Sequence, residues 1–195
     1  MSTPALADGV TVLVPAFNAA AHVAAALASA LAPSAVPVEV VVADDASTDE
    51  TVAVVEGIAR EDARVRLVRM DRKGGPSRAR NAAAAGARYG WLAMLDADDE
   101  WAPGRLERLA GVAERTGAEV VSDDIEVCGL RGERWRLGRA VGWTPTLDAP
   151  LDALEFARRG WPVKPVFTRL LFDESGGFDE DVAYGEDALL FTEWL

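Results

Sequence analysis

Residues 10–18 read Val-Thr-Val-Leu-Val-Pro-Ala-Phe-Asn and give the first indication of the fold. A β-branched run is ended by a proline, and the alanine-rich segment 19–32 that follows is made of good helix formers. The same succession of strand, loop and helix recurs along the chain, with strands predicted at 38–42, 65–70 and 91–95. Crossovers between parallel strands need about a dozen residues, so this alternation predicts an α/β fold: a Rossmann-like, mostly parallel sheet flanked by helices.

The remaining elements follow from local signals. Residues 47–50 have capping-box spacing ahead of a helix that reaches about Arg60. Further helices are predicted at 77–88, at 103–116 and from about 185, and a further strand at 119–122. Residues 125–160 are rich in Arg, Gly, Trp and Pro with weak periodicity, which favours an irregular segment facing a substrate. We expect one domain over 1–195 that lacks a C-terminal continuation, because the sequence stops within a helical pattern.

Charge and cysteine content narrow the class of function. The chain has 32 acidic and 20 basic side chains and a net charge of −12, which argues against nucleic acid as a partner. A nucleotide diphosphate could bind where a metal ion, a helix N-terminus or an Arg/Lys cluster offsets the carboxylates. The single cysteine, Cys128, predicts a cytoplasmic protein, or one peripheral to the inner face of the membrane. No apolar stretch approaches about 20 residues, so no membrane span is expected in this chain.

Three polar segments each follow a predicted strand directly: residues 15–18, 44–49 and 96–99. In an open parallel sheet the carboxyl ends of the strands share one edge, where ligands bind. In an extended segment, the side chains of Asp96 and Asp98 would point the same way with α-carbons about 6.6 Å apart. They could then share Mg²⁺ or Mn²⁺. The alternative is a solvated loop capping the next helix, and the apolar strand before it favours the metal site.

Other candidate residues carry two interpretations each. Asp44 and Asp45 could cap the next helix, which is the main role expected of Ser47, or one of the two could accept the imide proton of a uracil or thymine ring. Arg78 and Arg80 open a helix and could face phosphates or simply offset surface charge.

Histidine and tryptophan add little to the functional assignment. A single histidine, His22, leaves histidine-based zinc sites and Ser-His-Asp hydrolysis without parts. Trp143 and Trp161 could stack on a sugar or pack in a core.

The ordered motifs resemble the family 2 glycosyltransferases, which have a GT-A fold. They read Val-Pro-Ala-Phe-Asn (14–18), Asp-Asp-Ala-Ser-Thr-Asp (44–49), Gly-Pro-Ser-Arg-Ala-Arg-Asn (75–81), Leu-Asp-Ala-Asp-Asp (95–99), Gly-Gly-Phe-Asp-Glu (176–180) and Glu-Asp (186–187). The resemblance implies an inverting transfer of a sugar from a nucleotide-diphosphate donor, UDP-sugar or dTDP-sugar, to an acceptor hydroxyl of a glycan, a lipid-linked or a protein acceptor. Mn²⁺ or Mg²⁺ would be the cofactor.

The resemblance also implies roles for individual residues. Pro15, Phe17 and Asp45 would form the nucleoside pocket, and Asp96 would lie near the ribose and phosphates, where Arg80 is also expected. Asp98 would ligate the metal ion, and Asp187 would be the catalytic base.

Two positions depart from the family pattern, with Ala46 where glycine is usual and Lys73 where asparagine is frequent. One alternative is a non-catalytic nucleotide-sugar-binding module. Another, a nucleotidyltransferase, would need a glycine-rich basic loop after the first strand, and residues 15–18 are not such a loop.

Overall fold

The computed structural model describes residues 4–128, 133–136, 164–182 and 185–194. A 3-10 helix, Leu6–Asp8, precedes the first strand. The strands are β1 (Val10–Ala16), β2 (Val38–Asp44), β3 (Val65–Arg69), β4 (Trp91–Met94), β5 (Val120–Val121), β6 (Glu126–Cys128), β7 (Arg134–Arg136) and β8 (Val166–Thr168). The helices are α1 (Val23–Ala30), α2 (Thr51–Glu61), α3 (Gly75–Ala85), α4 (Arg105–Thr116), α5 (Arg169–Glu174) and α6 (Glu186–Trp194).

Six strands form the central sheet, in the order β3-β2-β1-β4-β8-β5. Strands β1 to β4 are parallel, and β8 runs antiparallel between β4 and β5. The predicted α/β class with a mostly parallel sheet is therefore confirmed. Because β8 is reversed, the residues that precede it lie at the same edge as the residues that follow β1, β2 and β4.

Side chains alternate across the sheet and build one core on each face. Val10, Val12 and Val14 of β1 point to the face covered by α1, α2 and α4. Leu13 of the same strand points to the other face, which is covered by α3, α5 and α6. Burial on both faces explains why the strands read as continuous apolar runs rather than alternating ones.

A buried ion network closes the amino-terminal edge of the sheet. Glu39 is 5% exposed and accepts hydrogen bonds from Thr11 Oγ1 at 2.6 Å, from the Arg88 amide at 2.6 Å and from Arg66 Nη2 at 3.2 Å. All polar groups that converge on this carboxylate come from the chain itself, so this edge has a structural role.

Two local predictions were wrong. Helix α2 begins at Thr51 without a side-chain cap from Glu50, and the hydroxyl of Ser47 accepts a bond from Asn18 instead of capping the helix. The segment predicted to be irregular contains an antiparallel hairpin of β6 and β7. Trp143 and Trp161 lie outside the described residues.

Candidate functional site

The loops after β1 and β2 are joined by hydrogen bonds at the carboxyl edge. The Asn18 amide donates to Ser47 Oγ at 2.9 Å, and Asn18 Oδ1 accepts from the Thr48 amide at 2.8 Å. The Ala19 amide donates to Thr51 Oγ1 at 2.8 Å. The short hydroxyl and carboxamide side chains of these two motifs therefore fix the two loops along the carboxyl edge of the sheet, the candidate ligand cleft.

Two residues in these loops have left-handed backbone conformations: Asn18, with φ of 50°, and Ala46, with φ of 59°. Asparagine tolerates this region, whereas for alanine it brings Cβ too close to the following carbonyl oxygen. The family's usual glycine at position 46 thus has a physical explanation, and this chain has kept the turn without it.

Asp45 joins β2 to the start of α3. It is 4% exposed, and its two carboxylate oxygens accept the amides of Gly74 at 2.6 Å and Gly75 at 2.8 Å. The neighbouring Asp44 accepts the Ser47 amide at 3.1 Å. Each oxygen of Asp45 retains a lone pair, so the predicted contact with a nucleobase stays a prediction alongside this structural role.

Phe17 is a large apolar side chain left open at the cleft, with 40% exposure. The ammonium of Lys73 lies 3.7 Å from the centre of its ring, a cation–π contact. Lys73 directly precedes the glycines that Asp45 holds, so its backbone is anchored beside the cleft. Pro15 lies within β1, two residues before Phe17, and is half-buried.

Asp96 lies between two cations. Arg80 Nη2 donates to Asp96 Oδ1 at 2.8 Å, and Lys164 Nζ donates to Asp96 Oδ2. Burial alone would raise the pKa of Asp96, but the charges of Lys164 and Arg80 outweigh burial and hold the pKa below the usual value. The structure thus keeps Asp96 ionised, and Arg80, 4% exposed, is committed to it.

Asp98 and Asp99 lie on a turn beyond β4. The Asp99 amide donates to the Asp96 carbonyl at 3.1 Å, so the extended geometry expected for 96–98 was wrong. Both side chains are exposed, and in the described part of the chain Asp98 makes no hydrogen bond or ion pair. Partial desolvation, then the charges of Asp96 and Asp98, raise the pKa of Asp99. The described residues contain no group of three or more metal-ligating side chains.

Arg105, the first residue of α4, forms a second clamp on the same side. It is 6% exposed, with Nε 2.9 Å from Asp123 Oδ1, and Nη2 donates to the carbonyl oxygen of Lys164. Its guanidinium lies 4.8 Å from the centre of the Trp101 ring. Three segments, after β4, after β5 and before β8, are therefore held together by one arginine.

The motif at 176–180 lies against α3. Asn81 Nδ2 donates to the Phe178 carbonyl at 2.8 Å, and the Phe178 amide donates to Asn81 Oδ1 at 2.9 Å. The Phe178 ring lies 5.5 Å from the guanidinium carbon of Arg80. A Cβ on Gly177, which has φ of 82°, would lie 2.9 Å from Asn81 Oδ1, so only glycine fits.

Asp187 lies in the first turn of α6. Its Oδ1 accepts the amide of Ala188 at 2.7 Å, and no contact among the described residues joins it to the other predicted site residues. Helix α6 itself is fixed on the sheet, since the Trp194 ring lies 4.8 Å from that of Phe167.

The predicted site residues fall into two groups. Pro15, Phe17, Asp45, Asp96 and Asp98 all lie at or just beyond the carboxyl ends of β1, β2 and β4, as expected. Arg80 reaches the same place from α3, whereas Asp187 is not brought into contact with them.

Sequence reasoning missed Lys164 and Arg105. A usable signal existed for Lys164, because the chain has only two lysines, Lys73 and Lys164, and both are found at this edge. Arg105 offered no comparable signal, since the other basic residues of the chain are all arginine.

Comparison with known proteins agrees with this geometry. Residues 11–169 match the family described as glycosyl transferase family 2, and the chain belongs to this family. It is 38% identical to the succinoglycan biosynthesis protein ExoO of Rhizobium meliloti (strain 1021), over 100% of this chain and 58% of that protein. It is 34% identical to the succinoglycan biosynthesis protein ExoU of the same organism, over 80% of this chain and 48% of that protein.

A solved structure extends the likeness to the fold. The crystal structure of S. aureus TarS 1-349 in complex with UDP-GlcNAc has a TM-score of 0.73 and 25% identity, covering 93% of this chain and 52% of that chain. The GT-A fold and the glycosyltransferase class are confirmed, and the chain spans about half the length of these relatives. No helix in the described part is long and apolar enough to cross a membrane.

Proposed function

We propose that this chain is the donor-binding and catalytic part of an inverting glycosyltransferase that uses a UDP-sugar, or a dTDP-sugar, and a glycan, lipid-linked or protein acceptor. The observation that carries the proposal is the convergence of the Phe17, Asp45 and Asp96 loops at the carboxyl edge of a fold shared with a UDP-GlcNAc complex. The free, exposed Cys128 is consistent with the cytoplasmic location that we also propose.

Binding of the nucleotide donor is proposed from the groups that the carboxyl edge leaves accessible. Phe17, 40% exposed, offers aromatic surface for a nucleobase, with Pro15 near the end of the same strand and Asp45 at the next loop. Asp96, kept ionised by Lys164 and Arg80, can accept hydrogen bonds from ribose hydroxyls with its remaining lone pairs. These residues would hold the nucleoside half of the donor.

Asp98 fits the role of metal ligand. It is exposed, makes no polar contact within the described residues, and carries the hard oxygen ligands that Mg²⁺ and Mn²⁺ prefer. Such ions are commonly held by one or two carboxylates together with substrate phosphates, so a three-residue cluster is not required. A divalent cation bound there would stabilise the charge that develops on the leaving diphosphate.

Asp187 is the proposed base. Its carboxylate would take the proton of the acceptor hydroxyl as that oxygen attacks the anomeric carbon and the bond to the diphosphate breaks. Attack from the side opposite the leaving group inverts the anomeric configuration. Asp187 Oδ1 is held by the Ala188 amide, which orients the carboxylate and leaves Oδ2 for this step.

Calorimetry with UDP, dTDP and other nucleoside diphosphates, with and without Mn²⁺, tests the proposal. Asp98→Ala should abolish the Mn²⁺-dependent part of UDP binding, whereas Asp187→Asn should retain UDP binding and lose sugar transfer. Asp8→Ala, which removes an exposed carboxylate at the opposite edge, is the matched control.

Each result has a defined meaning for the proposal. Equal loss of UDP binding in Asp98→Ala and Asp187→Asn would refute the separate roles. Tight UDP binding without turnover of any donor would favour a non-catalytic nucleotide-sugar-binding module.

A further inference from the structure

We propose that Lys164 contacts the diphosphate of the donor, and that Arg105 positions it; this inference rests on the proposed function. Lys164 reaches the cleft because it precedes the antiparallel strand β8, whose start lies beside the end of β4. The Pro165 carbonyl accepts the Met94 amide at 3.3 Å, which places Lys164 directly beyond the strand that carries Asp96.

Exposure separates Lys164 from Arg80. Both pair with Asp96, but the Arg80 side chain is 4% exposed and that of Lys164 is 21% exposed. An ammonium has three donors, and Asp96 takes one of them. Lys164 is therefore the partner of Asp96 that can also reach a ligand in the cleft.

A cation is needed here because the edge is strongly acidic. Asp96, Asp98 and Asp99 lie within four residues, in a chain of net charge −12. A diphosphate entering this edge meets repulsion unless positive charge is close, and metal coordination by one carboxylate offsets only part of it. Lys164 supplies a charge that stays with the protein.

Arg105 holds the backbone of Lys164 from behind. Its Nη2 binds the Lys164 carbonyl, and the same guanidinium is anchored by Asp123 Oδ1 at 2.8 Å and by the Trp101 ring. Arg105 is 6% exposed, and its Nε and Nη2 are taken by protein groups, so burial keeps it from binding the donor directly. It is a positioning residue that acts through Lys164.

The test compares UDP with uridine, which lacks phosphates, by calorimetry in constant Mn²⁺. Lys164→Met keeps the aliphatic stem and should weaken UDP binding roughly 10- to 100-fold, the range of a charge-assisted hydrogen bond, while uridine binding stays unchanged. Arg60→Met, which removes a cation at the far end of α2, controls for net charge and should change neither. A misfolded variant would lose binding of both UDP and uridine, so the ratio of the two affinities reports the contact with the diphosphate.

Two backgrounds separate the direct contact from indirect effects. In Asp96→Asn, Lys164→Met should still weaken UDP binding; disappearance of the effect would show that Lys164 acts only through Asp96. As a single change, Arg105→Gln should weaken UDP binding roughly 3- to 10-fold. When it is added to Lys164→Met it should cause no further loss, because the effects of coupled residues are not additive. Asp123→Asn, a milder change to the same clamp, should show the same pattern with a smaller loss.

The outcomes distinguish this inference from the function beneath it. If the unmutated chain binds UDP and Lys164→Met binds it equally well, or loses uridine equally, the contact with the diphosphate is refuted and the proposed function stands. Additive losses would refute the positioning role of Arg105. A chain that binds no nucleotide refutes both.

Discussion

Ala46 holds a left-handed backbone conformation, with φ of 59°, and Ala46→Gly should therefore stabilise the protein. An L-residue in this region costs about 1–2 kcal/mol relative to right-handed backbone. Glycine avoids that cost but loses about 0.4–1 kcal/mol through the greater freedom of its unfolded chain. The difference predicts that the free energy of unfolding rises by about 0.5–1 kcal/mol. In a chain of this size, each kcal/mol raises Tm by about 2–4 °C.

Asn18→Gly is the matched control, because Asn18 has a similar φ of 50° but uses its side chain. Its Oδ1 accepts the Thr48 amide, and loss of that bond costs about 1 kcal/mol in addition to the entropy of glycine. Urea unfolding followed by circular dichroism should give shifts of opposite sign for the two variants. Destabilisation by Ala46→Gly, or the same sign for both, would refute the explanation from backbone strain.

Three further predictions concern other parts of the molecule. Glu39→Ala should destabilise the fold by about 3 kcal/mol without changing UDP affinity, because Thr11 Oγ1, the Arg88 amide and the charge of Arg66 all lose their buried carboxylate; urea unfolding and calorimetry check the two halves. The pKa of folded Asp96 is lowered, so its ion pairs stabilise the protein above the unfolded value near 3.9 and this contribution is lost as the pH falls through the folded value. In metal-free buffer, the stability difference between the unmutated chain and Asp96→Asn should therefore shrink below about pH 4, and an unchanged difference would contradict the pairing. Phe17→Leu should weaken uridine and UDP equally, roughly tenfold, because both would lose the exposed aromatic ring for stacking of the base; a loss confined to UDP would exclude base stacking.

The fold was predictable because its signals are local. Strands β1, β2 and β4 are buried on both faces and so read as unbroken apolar runs, and each is followed by a turn-forming polar segment. The carboxyl-edge rule then placed Phe17, Asp45 and Asp96 together without further information. The hairpin of β6 and β7 was missed because two three-residue strands leave too few residues for a period to be visible.

The details of the polar contacts were not predictable, because each depends on a partner far along the chain. Ser47 lies at capping-box spacing, but Asn18, 29 residues earlier, takes its hydroxyl. Asp96 and Asp98 have the spacing of a shared metal site, but the turn at 96–99 separates their environments, and Lys164, 68 residues later, pairs with Asp96. Local spacing could not distinguish a carboxylate already neutralised by the protein from one left open for a ligand.

The net charge was an incomplete guide for a related reason. A net charge of −12 favours a metal ion over a helix N-terminus or an Arg/Lys cluster as the group that offsets the charge of a diphosphate, but composition averages over the whole surface. The structure places cations among the carboxylates of one edge: Arg80 and Arg105 are buried against Asp96 and Asp123, Lys164 also pairs with Asp96, and Lys73 lies over the Phe17 ring. Each buried arginine neutralises an aspartate and so removes a repulsive charge without presenting one of its own to the cleft. If Lys164 contacts the diphosphate as proposed, it acts against a weaker local field than the overall charge suggests, and its removal should therefore weaken binding more than removal of an arginine elsewhere.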